Sequence, residues 1–311
     1  MREILCFVLQ PTNYDLSPVQ KLDNISRWLA ALDCTEKHNA TLKLHQENTC
    51  VWFPNTNAYK EWRFGENFFL WLHGKGGISR TWWMNEVGDT HGPSWLWKVG
   101  IDVSWSLVHI HTGADSRSSS VIEHLKSTLR DGEVVVSFYC DFQNQRSTSS
   151  TEMMRSLLSQ LIHYLGSCGI DPEDLPNKML EKKRKGILSL GDLGKLCDMV
   201  ARTAVCFPLE PIVVIDALDE CTDINALLGV LVELNRLRDV RLLVTSRSHE
   251  AMTCHFAGLQ SLSFDNMGEE LAADIALHVE RELRSQNGLR SADLEIKNEI
   301  CAQLNEKADG R

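Results

Sequence analysis

Four short apolar runs, separated by stretches of helical periodicity, constrain the fold of this chain more than any other feature. The runs span residues 68–73, 134–142, 212–215 and 241–245, and helical patterns lie between them at 118–126, 151–165 and 224–237. Strands that are buried on both faces have continuous apolar sequences, and strands that alternate with helices form parallel sheets covered by those helices. The sequence therefore predicts an α/β fold built on a parallel sheet.

Helical patterns also flank this predicted core. Residues 17–46 carry apolar side chains at helix spacing, with a break near Asp33, and the chain after Leu262 is helical and acidic. We divide the chain into an N-terminal helical segment (1–62), an α/β domain (63–260) and the start of a C-terminal helical region (261–311), which is predicted to be truncated.

The charge balance and the cysteine pattern limit the partners and the compartment. The 311 residues carry a net charge of −10, which disfavours nucleic-acid binding because phosphate backbones attract basic surfaces. No run approaches the roughly 18 apolar residues of a membrane span. The ten cysteines form no CxxC pair, as is typical of free thiols in a reducing compartment. The sequence predicts a cytoplasmic protein with no membrane span and no nucleic-acid partner.

A cluster of carboxylates follows the third apolar run directly. Its members are Asp216, Asp219 and Glu220. Ligands bind at the carboxyl ends of parallel strands, where a first carboxylate can hold Mg²⁺ on a triphosphate and a later one can orient the attacking water. The alternative is a structural strand end whose acidic residues cap the next helix, with Thr222 or Asp223 as the cap.

A Thr-Ser-Arg sequence ends the fourth apolar run. It places Arg247 at a predicted strand tip, next to the strand that carries the acidic cluster. A guanidinium in this position can contact a terminal phosphate and report its presence. A surface arginine in a loop is the alternative.

A glycine-rich segment follows the first apolar run and partly matches a phosphate-binding loop. The pattern GxxxxGK[ST] holds phosphate through backbone N–H groups and a lysine. Here Gly74 takes the first glycine position, Ser79 the second, Arg80 that of the lysine and Thr81 that of the Mg²⁺-binding hydroxyl. Ser79 adds a Cβ where glycine is favoured, and the planar guanidinium of Arg80 does not mimic a compact ammonium. We expect a degenerate cradle in which Gly77 also faces phosphate.

A tryptophan-rich stretch separates this cradle from the helix that should follow it. Five of the nine tryptophans lie within residues 82–117, and the helical pattern resumes only at Ser118. A strand and the helix after it are usually joined by about two to six residues. We interpret 82–117 as either translated intron sequence or a lineage-specific insertion, placed where it impairs nucleotide binding.

Together these motifs resemble one protein family. The similar segments are Lys21-Leu22, Trp28-Leu29, 52–62, 69–75, 119–125, 138–142, 155–161, 216–221, 243–247, Asp274-Ile275 and 306–310. The chain resembles the NACHT-type P-loop NTPases of fungal nucleotide-binding receptor-like proteins. These belong to the signal-transduction ATPases with numerous domains, and the resemblance is to the branch with a nephrocystin-like N-terminal module.

The resemblance implies a nucleotide-driven conformational switch. The ligand is ATP or GTP with Mg²⁺, and partners include further copies through self-association of the NACHT domain. Gly74, Gly77, Arg80 and Thr81 are then expected at the phosphates, Thr81 and Asp216 on Mg²⁺, Glu220 or Asp219 on the attacking water, and Arg247 at the terminal phosphate.

Two other interpretations stay open. The chain can be a degenerate member of the same fold that serves as an interaction scaffold without catalysis, or an unrelated α/β enzyme. Because Ser79 and Arg80 replace defining residues of the cradle, the sequence does not decide whether nucleotide is hydrolysed.

Overall fold

The computed structural model describes residues 18–44, 49–74, 113–167, 191–195, 210–236 and 240–270, and single residues at 189, 197, 273, 274, 277 and 295. Three helices come first, α1 (Pro18–Leu29), α2 (Thr35–Leu44) and α3 (Asn57–Phe64). The α/β region follows with β1 (Phe69–Gly74), α4 (Gly113–Ser127), β2 (Glu133–Tyr139), α5 (Ser150–Ser167), β3 (Glu210–Asp216), α6 (Ile224–Arg236), β4 (Arg241–Arg247), α7 (Glu250–His255) and β5 (Ser261–Ser263). Short 3₁₀ turns span Phe53–Asn55, Leu218–Glu220 and Phe264–Asn266.

The strands form one parallel sheet in the order β2-β3-β4-β1-β5. Tyr139 lies opposite Asp216 on the neighbouring strand, and Gly74 lies opposite Arg247. The carboxyl ends of β1 to β4 therefore meet along one edge of the sheet. This arrangement confirms the predicted α/β fold with a parallel sheet, and it is consistent with a P-loop NTPase-like core.

Different helices cover the two faces of the sheet. Phe69 and Trp71 of β1 contribute to a core with α1, α5, α6 and α7, whereas Leu70 and Leu72 contribute to a second core with α3 and α4. This division follows from the alternation of side chains along a strand. The helix after β1 and the helix after β4 thus lie on opposite faces, although β1 and β4 are neighbours. Open α/β sheets bind ligands at such a switch point, outside the carboxyl ends of the strands.

The N-terminal helices share these two cores with the sheet. Ile25 and Leu29 of α1 are buried beside α5, and Tyr59 and Trp62 of α3 are buried on the face that α4 covers. The described part of the predicted segment 1–62 therefore packs directly on the α/β region.

One residue of the C-terminal region is hydrogen-bonded to the loop between α2 and α3. Asp274 accepts the backbone N–H of Cys50 at 3.0 and 3.1 Å and the indole N–H of Trp52 at 2.9 Å. The described residues after Met267 are helical, as the sequence predicts. None of the helices in the described parts of the chain is long and apolar enough to cross a membrane.

Element boundaries agree with the sequence predictions to within a few residues, with three differences, one of which is helix α7, which was not predicted. Helix α4 begins at Gly113 rather than at Ser118, because the sequence Gly-Ala-Asp is compatible with both a turn and the start of a helix. Strand β5 was not predicted, since Leu262 is its single apolar residue. The charged stretch 171–186 and most of the predicted helix 189–205 lie outside the described residues.

Candidate functional site

Asp216 occupies the carboxyl end of β3 and is buried. It is 2% exposed, and its Oδ1 accepts hydrogen bonds from the hydroxyls of Ser118 on α4 and Thr245 on β4, the latter at 2.5 Å. A buried carboxylate needs such donors because it has lost its contact with water. Asp216 is therefore fixed between the helix that follows β1 and the strand beside β3.

The turn after Asp216 is held by the same hydroxyl. Ala217 has φ of +53°, a left-handed conformation that is unfavourable for residues with a Cβ. Its backbone N–H donates to Thr245 Oγ1 at 3.0 Å. Thr245 thus fixes both the carboxylate and the strained turn that leads to Asp219 and Glu220.

Asp219 pairs with the arginine of the neighbouring strand. Its Oδ2 accepts Arg247 Nε at 2.6 Å, and its Oδ1 accepts the backbone N–H of Arg247 at 2.9 Å. The hydrogen bond that Arg247 donates to Asp219 is the main reason that the pKa of Arg247 lies above its ordinary value. The arginine is 60% exposed along its side chain, so it can leave this partner for an anion at the same edge.

Glu220 is oriented towards β2. Its Oε2 accepts the backbone N–H of Phe142, which follows the end of β2, at 2.8 Å. Because β3 and β4 lie between β2 and β1 in the sheet, this contact draws the carboxylate away from the end of β1. Asp219 and Glu220, which the sequence treats as alternatives, therefore have different partners.

The end of β1 carries an aromatic pair and a close approach at Gly74. The His73 ring stacks on Trp71 with centroids 4.1 Å apart, and burial lowers the pKa of His73, partly offset by the charge of Asp265. A Cβ at Gly74 would lie 3.3 Å from the Phe264 Cβ. Glycine at this position therefore allows the chain after β5 to pass close to the start of the predicted cradle.

The structure brings together only some of the predicted site residues. Gly74, Asp216, Asp219, Glu220 and Arg247 lie along the carboxyl edge of β1, β3 and β4. The remaining predicted phosphate and Mg²⁺ contacts, Gly77, Arg80 and Thr81, lie outside the described residues.

Two residues of the site escaped the sequence analysis, namely Ser118 and Thr245. Ser118 is one of several serines at the start of a helix, and nothing in its neighbours points to a partner almost a hundred residues away. Thr245 gave a weak signal, since a hydroxyl two residues before Arg247 at a strand tip is placed to contact the adjacent strand.

The oxygen donors around Asp216 suit a hard cation such as Mg²⁺. Within the described ranges, no three or more His, Cys, Asp or Glu side chains form a group that could hold a metal ion. An all-protein metal site is therefore not formed by these residues. Mg²⁺ usually takes only one or two protein carboxylates and completes its shell with water and substrate phosphates, so a single buried Asp216 is compatible with it.

Comparison with known families identifies a match over part of the chain. The family described as nephrocystin 3, N-terminal, matches residues 112–247, which is less than half of the chain. No curated protein matches. The matched segment begins beside the first residue of α4 and ends at the last residue of β4, so it contains Ser118, Asp216, Thr245 and Arg247 but not β1. Over this segment the chain is similar to a nephrocystin-like N-terminal module.

Proposed function

We propose that the chain is a nucleotide-binding switch module of NACHT type, with ATP or GTP and Mg²⁺ as ligands and a degenerate phosphate cradle. The observation that carries this proposal is the position of Asp216, a buried carboxylate held by two hydroxyls near the switch point between β1 and β4. Ser118 reaches Asp216 from the second turn of α4, so the amino end of α4 lies at this edge. Helix amino ends favour phosphate through their free N–H groups and dipole.

In this proposal, Asp216 and Thr81 hold Mg²⁺, and Arg80 with the backbone at Gly74 and Gly77 faces the phosphates. Bound Mg²⁺ would neutralise charge on the phosphate oxygens. Asp216 is suited to this role because the hydroxyls of Ser118 and Thr245 hold its carboxylate in one orientation.

Arg247 and Glu220 are the proposed responding groups. A terminal phosphate competes with Asp219 for the guanidinium of Arg247, because both offer oxygens to the same N–H groups. Glu220 must leave the Phe142 N–H before it can orient water near β1. The switch then consists of exchanging these two hydrogen bonds for contacts to the nucleotide.

The second candidate is a non-catalytic scaffold with the same fold. It is favoured by the hydrogen bonds that already occupy Asp219 and Glu220, and by the replacement of the cradle lysine with Arg80. A fungal receptor-like signalling role and self-association through the NACHT domain belong to the proposal through the family resemblance alone. A cytoplasmic location belongs to it through the cysteine pattern of the sequence, which forms no CxxC pair.

Nucleotide titration of the purified full chain tests the proposal. We expect the unmodified chain to bind ATP·Mg²⁺ weakly or not at all, because Ser79, Arg80 and the stretch 82–117 disturb the cradle. A matched variant carries Ser79→Gly and Arg80→Lys and lacks the stretch. Two deletions, 82–112 and 82–117, should be compared, because the longer one removes the first five residues of α4.

The two outcomes separate the candidates. Recovered ATP·Mg²⁺ binding in a folded restored variant supports the nucleotide switch. No recovery in either deletion, with an unchanged circular dichroism spectrum, refutes the switch and leaves the scaffold. A low-micromolar dissociation constant for the unmodified chain refutes the degenerate cradle.

A further inference from the structure

Four buried polar side chains connect α2 to α4 and β2, and we call them the α2 network. They are His38 and Thr41 on α2, Ser119 on α4 and Tyr139 at the end of β2, each at most 8% exposed. The Tyr139 hydroxyl lies 2.5 Å from His38 Nδ1 and 3.3 Å from Ser119 Oγ, and Ser119 Oγ also contacts the Thr41 hydroxyl. Burial raises the pKa of Tyr139, so its hydroxyl keeps the proton that the network needs.

The other ring nitrogen of His38 makes a second contact with α4. His38 Nε2 lies 2.9 Å from Glu123 Oε1, which also accepts Lys126 Nζ at 2.9 Å. Lys126 Nζ also lies 3.1 Å from His38 Nε2, so both ring nitrogens have polar partners. Because Ser119 and Glu123 are four residues apart, they lie on the same side of α4. Helix α2 therefore holds one face of α4 at two successive turns.

The network ends at Asp216 by two routes. Ser118 precedes Ser119 on α4, and neighbouring helix residues point about 100° apart, so one serine reaches Asp216 while the next reaches α2. On the strand side, Tyr139 lies opposite Asp216, and the N–H of Cys140 donates to the backbone oxygen of Asp216 at 3.0 Å. Helix α2 is therefore linked by side-chain contacts to α4, whose Ser118 holds this carboxylate, and to β2, which pairs with the strand that carries it.

We propose that α2 positions α4 for ligand binding at Asp216 and couples the N-terminal region to the occupancy of that site. His38 and Thr41 are positioning residues that act through Ser119 and Tyr139. The ligand, a magnesium-bound nucleotide, rests on the proposed function, whereas the contact between α2 and α4 does not. Because coupling between two sites is reciprocal, a ligand that changes the contacts of Ser118 also changes the environment of α2.

Hydrogen exchange of the full chain tests the coupling without any ligand. Thr41→Val keeps the shape of the side chain and removes its hydroxyl, Thr41→Ser keeps the hydroxyl, and Asn39→Ala changes an exposed position on the same helix. We expect amides of α4 to exchange about tenfold faster in Thr41→Val, the order expected for one lost buried hydrogen bond. The amides of α5 should stay as in the unmodified chain, as should α4 in the other two variants.

Nucleotide affinity is the second measurement, made in the chain with the restored cradle. Thr41→Val should weaken ATP·Mg²⁺ binding about fivefold or more, and Thr41→Ser should not. If the restored chain binds no nucleotide, the proposed function fails while the exchange data still decide the contact between α2 and α4. Unchanged exchange in α4, or equal acceleration in α4 and α5, overturns the inference. An affinity that Thr41→Val leaves unchanged in a binding chain also overturns it.

Discussion

The buried ion pair between Arg63 and Glu133 leads to the most quantitative prediction. Both side chains are 1% exposed, and Arg63 Nη2 lies 2.5 Å from Glu133 Oε2. Arg130 adds its backbone N–H and its Nε, each at 2.7 Å. Burial alone would raise the pKa of Glu133, but the hydrogen bonds from Arg63 and Arg130 outweigh it and lower the pKa from 4.5 to about 2.

The lowered pKa of Glu133 gives the size of its contribution to folding. At about 1.4 kcal/mol per pKa unit, the shift corresponds to roughly 3 kcal/mol of folding free energy at pH 7. Removing one partner of a buried pair costs about 3–5 kcal/mol by a separate argument, because the other charge stays buried. We therefore expect Glu133→Gln to lower the free energy of unfolding by about 3 kcal/mol, measured by urea denaturation at pH 7.

The pH dependence of this loss has a definite sign. A carboxyl whose pKa is lowered in the folded state contributes its full stability above the unfolded value of 4.5, and this contribution is lost as the pH falls towards 2. The difference between Glu133→Gln and the unmodified chain should therefore shrink over this window.

Two further variants make the test of the ion pair specific. Glu210→Gln is the control, because the Glu210 side chain is 58% exposed and its carboxylate lies 3.4 Å from Arg130. This substitution should change the free energy of unfolding by less than about 0.5 kcal/mol. The double variant Arg63→Met/Glu133→Gln should lose less than the two single losses added together, because neither charge is then left alone. A loss below about 1 kcal/mol for Glu133→Gln at pH 7, or a loss that persists unchanged in acid, would refute the reasoning.

Two other substitutions test contacts beside the site and at the sheet edge. Thr245→Val removes the hydroxyl that bonds both Asp216 and Ala217, and it should lower the free energy of unfolding by about 1–3 kcal/mol in thermal unfolding. Thr245→Ser keeps the hydroxyl and should lose less than half of that amount. Equal losses in the two variants would contradict the role of the hydroxyl. Gln160→Ala removes the amide that bonds both the N–H and the C=O of Ser137, at 3.0 and 2.8 Å. This variant should lower the free energy of unfolding by about 1–2 kcal/mol in urea denaturation, and it should speed hydrogen exchange of the Ser137 backbone amide, because the Gln160 side chain covers the outer edge of β2. Unchanged hydrogen exchange at Ser137 would contradict this role of Gln160.

The sequence predicted β1 to β4 and most helices because their signals are local. Continuous apolar runs identify β1 to β4, and their alternation with helices leaves a parallel sheet as the consistent arrangement. The order of strands was not predictable in this way. The position of β1 between β4 and β5 depends on crossovers and on the two cores, which no short pattern encodes.

The acidic residues of the site were predicted by type and place, but their partners were not. Asp216 follows an apolar run and was recognisable, whereas Ser118 and Thr245 become its partners only through the folded chain. The separate contacts of Asp219 and Glu220 follow from the left-handed turn at Ala217, a residue type that gives no warning of positive φ. The α2 network escaped prediction for the same reason, since its four side chains come from three elements.

The dissociation constant of ATP·Mg²⁺ for the restored chain, with and without Asp216→Asn, tests the central claim most directly. The background for this test is the restored chain, which carries Ser79→Gly and Arg80→Lys and lacks residues 82–112. This shorter deletion keeps all of α4. We predict Mg²⁺-dependent binding that weakens at least about tenfold in Asp216→Asn, because the neutral amide oxygen is a much weaker Mg²⁺ ligand than the charged carboxylate. Binding that is equally tight in the two chains, or absent from a folded restored chain, would contradict the account.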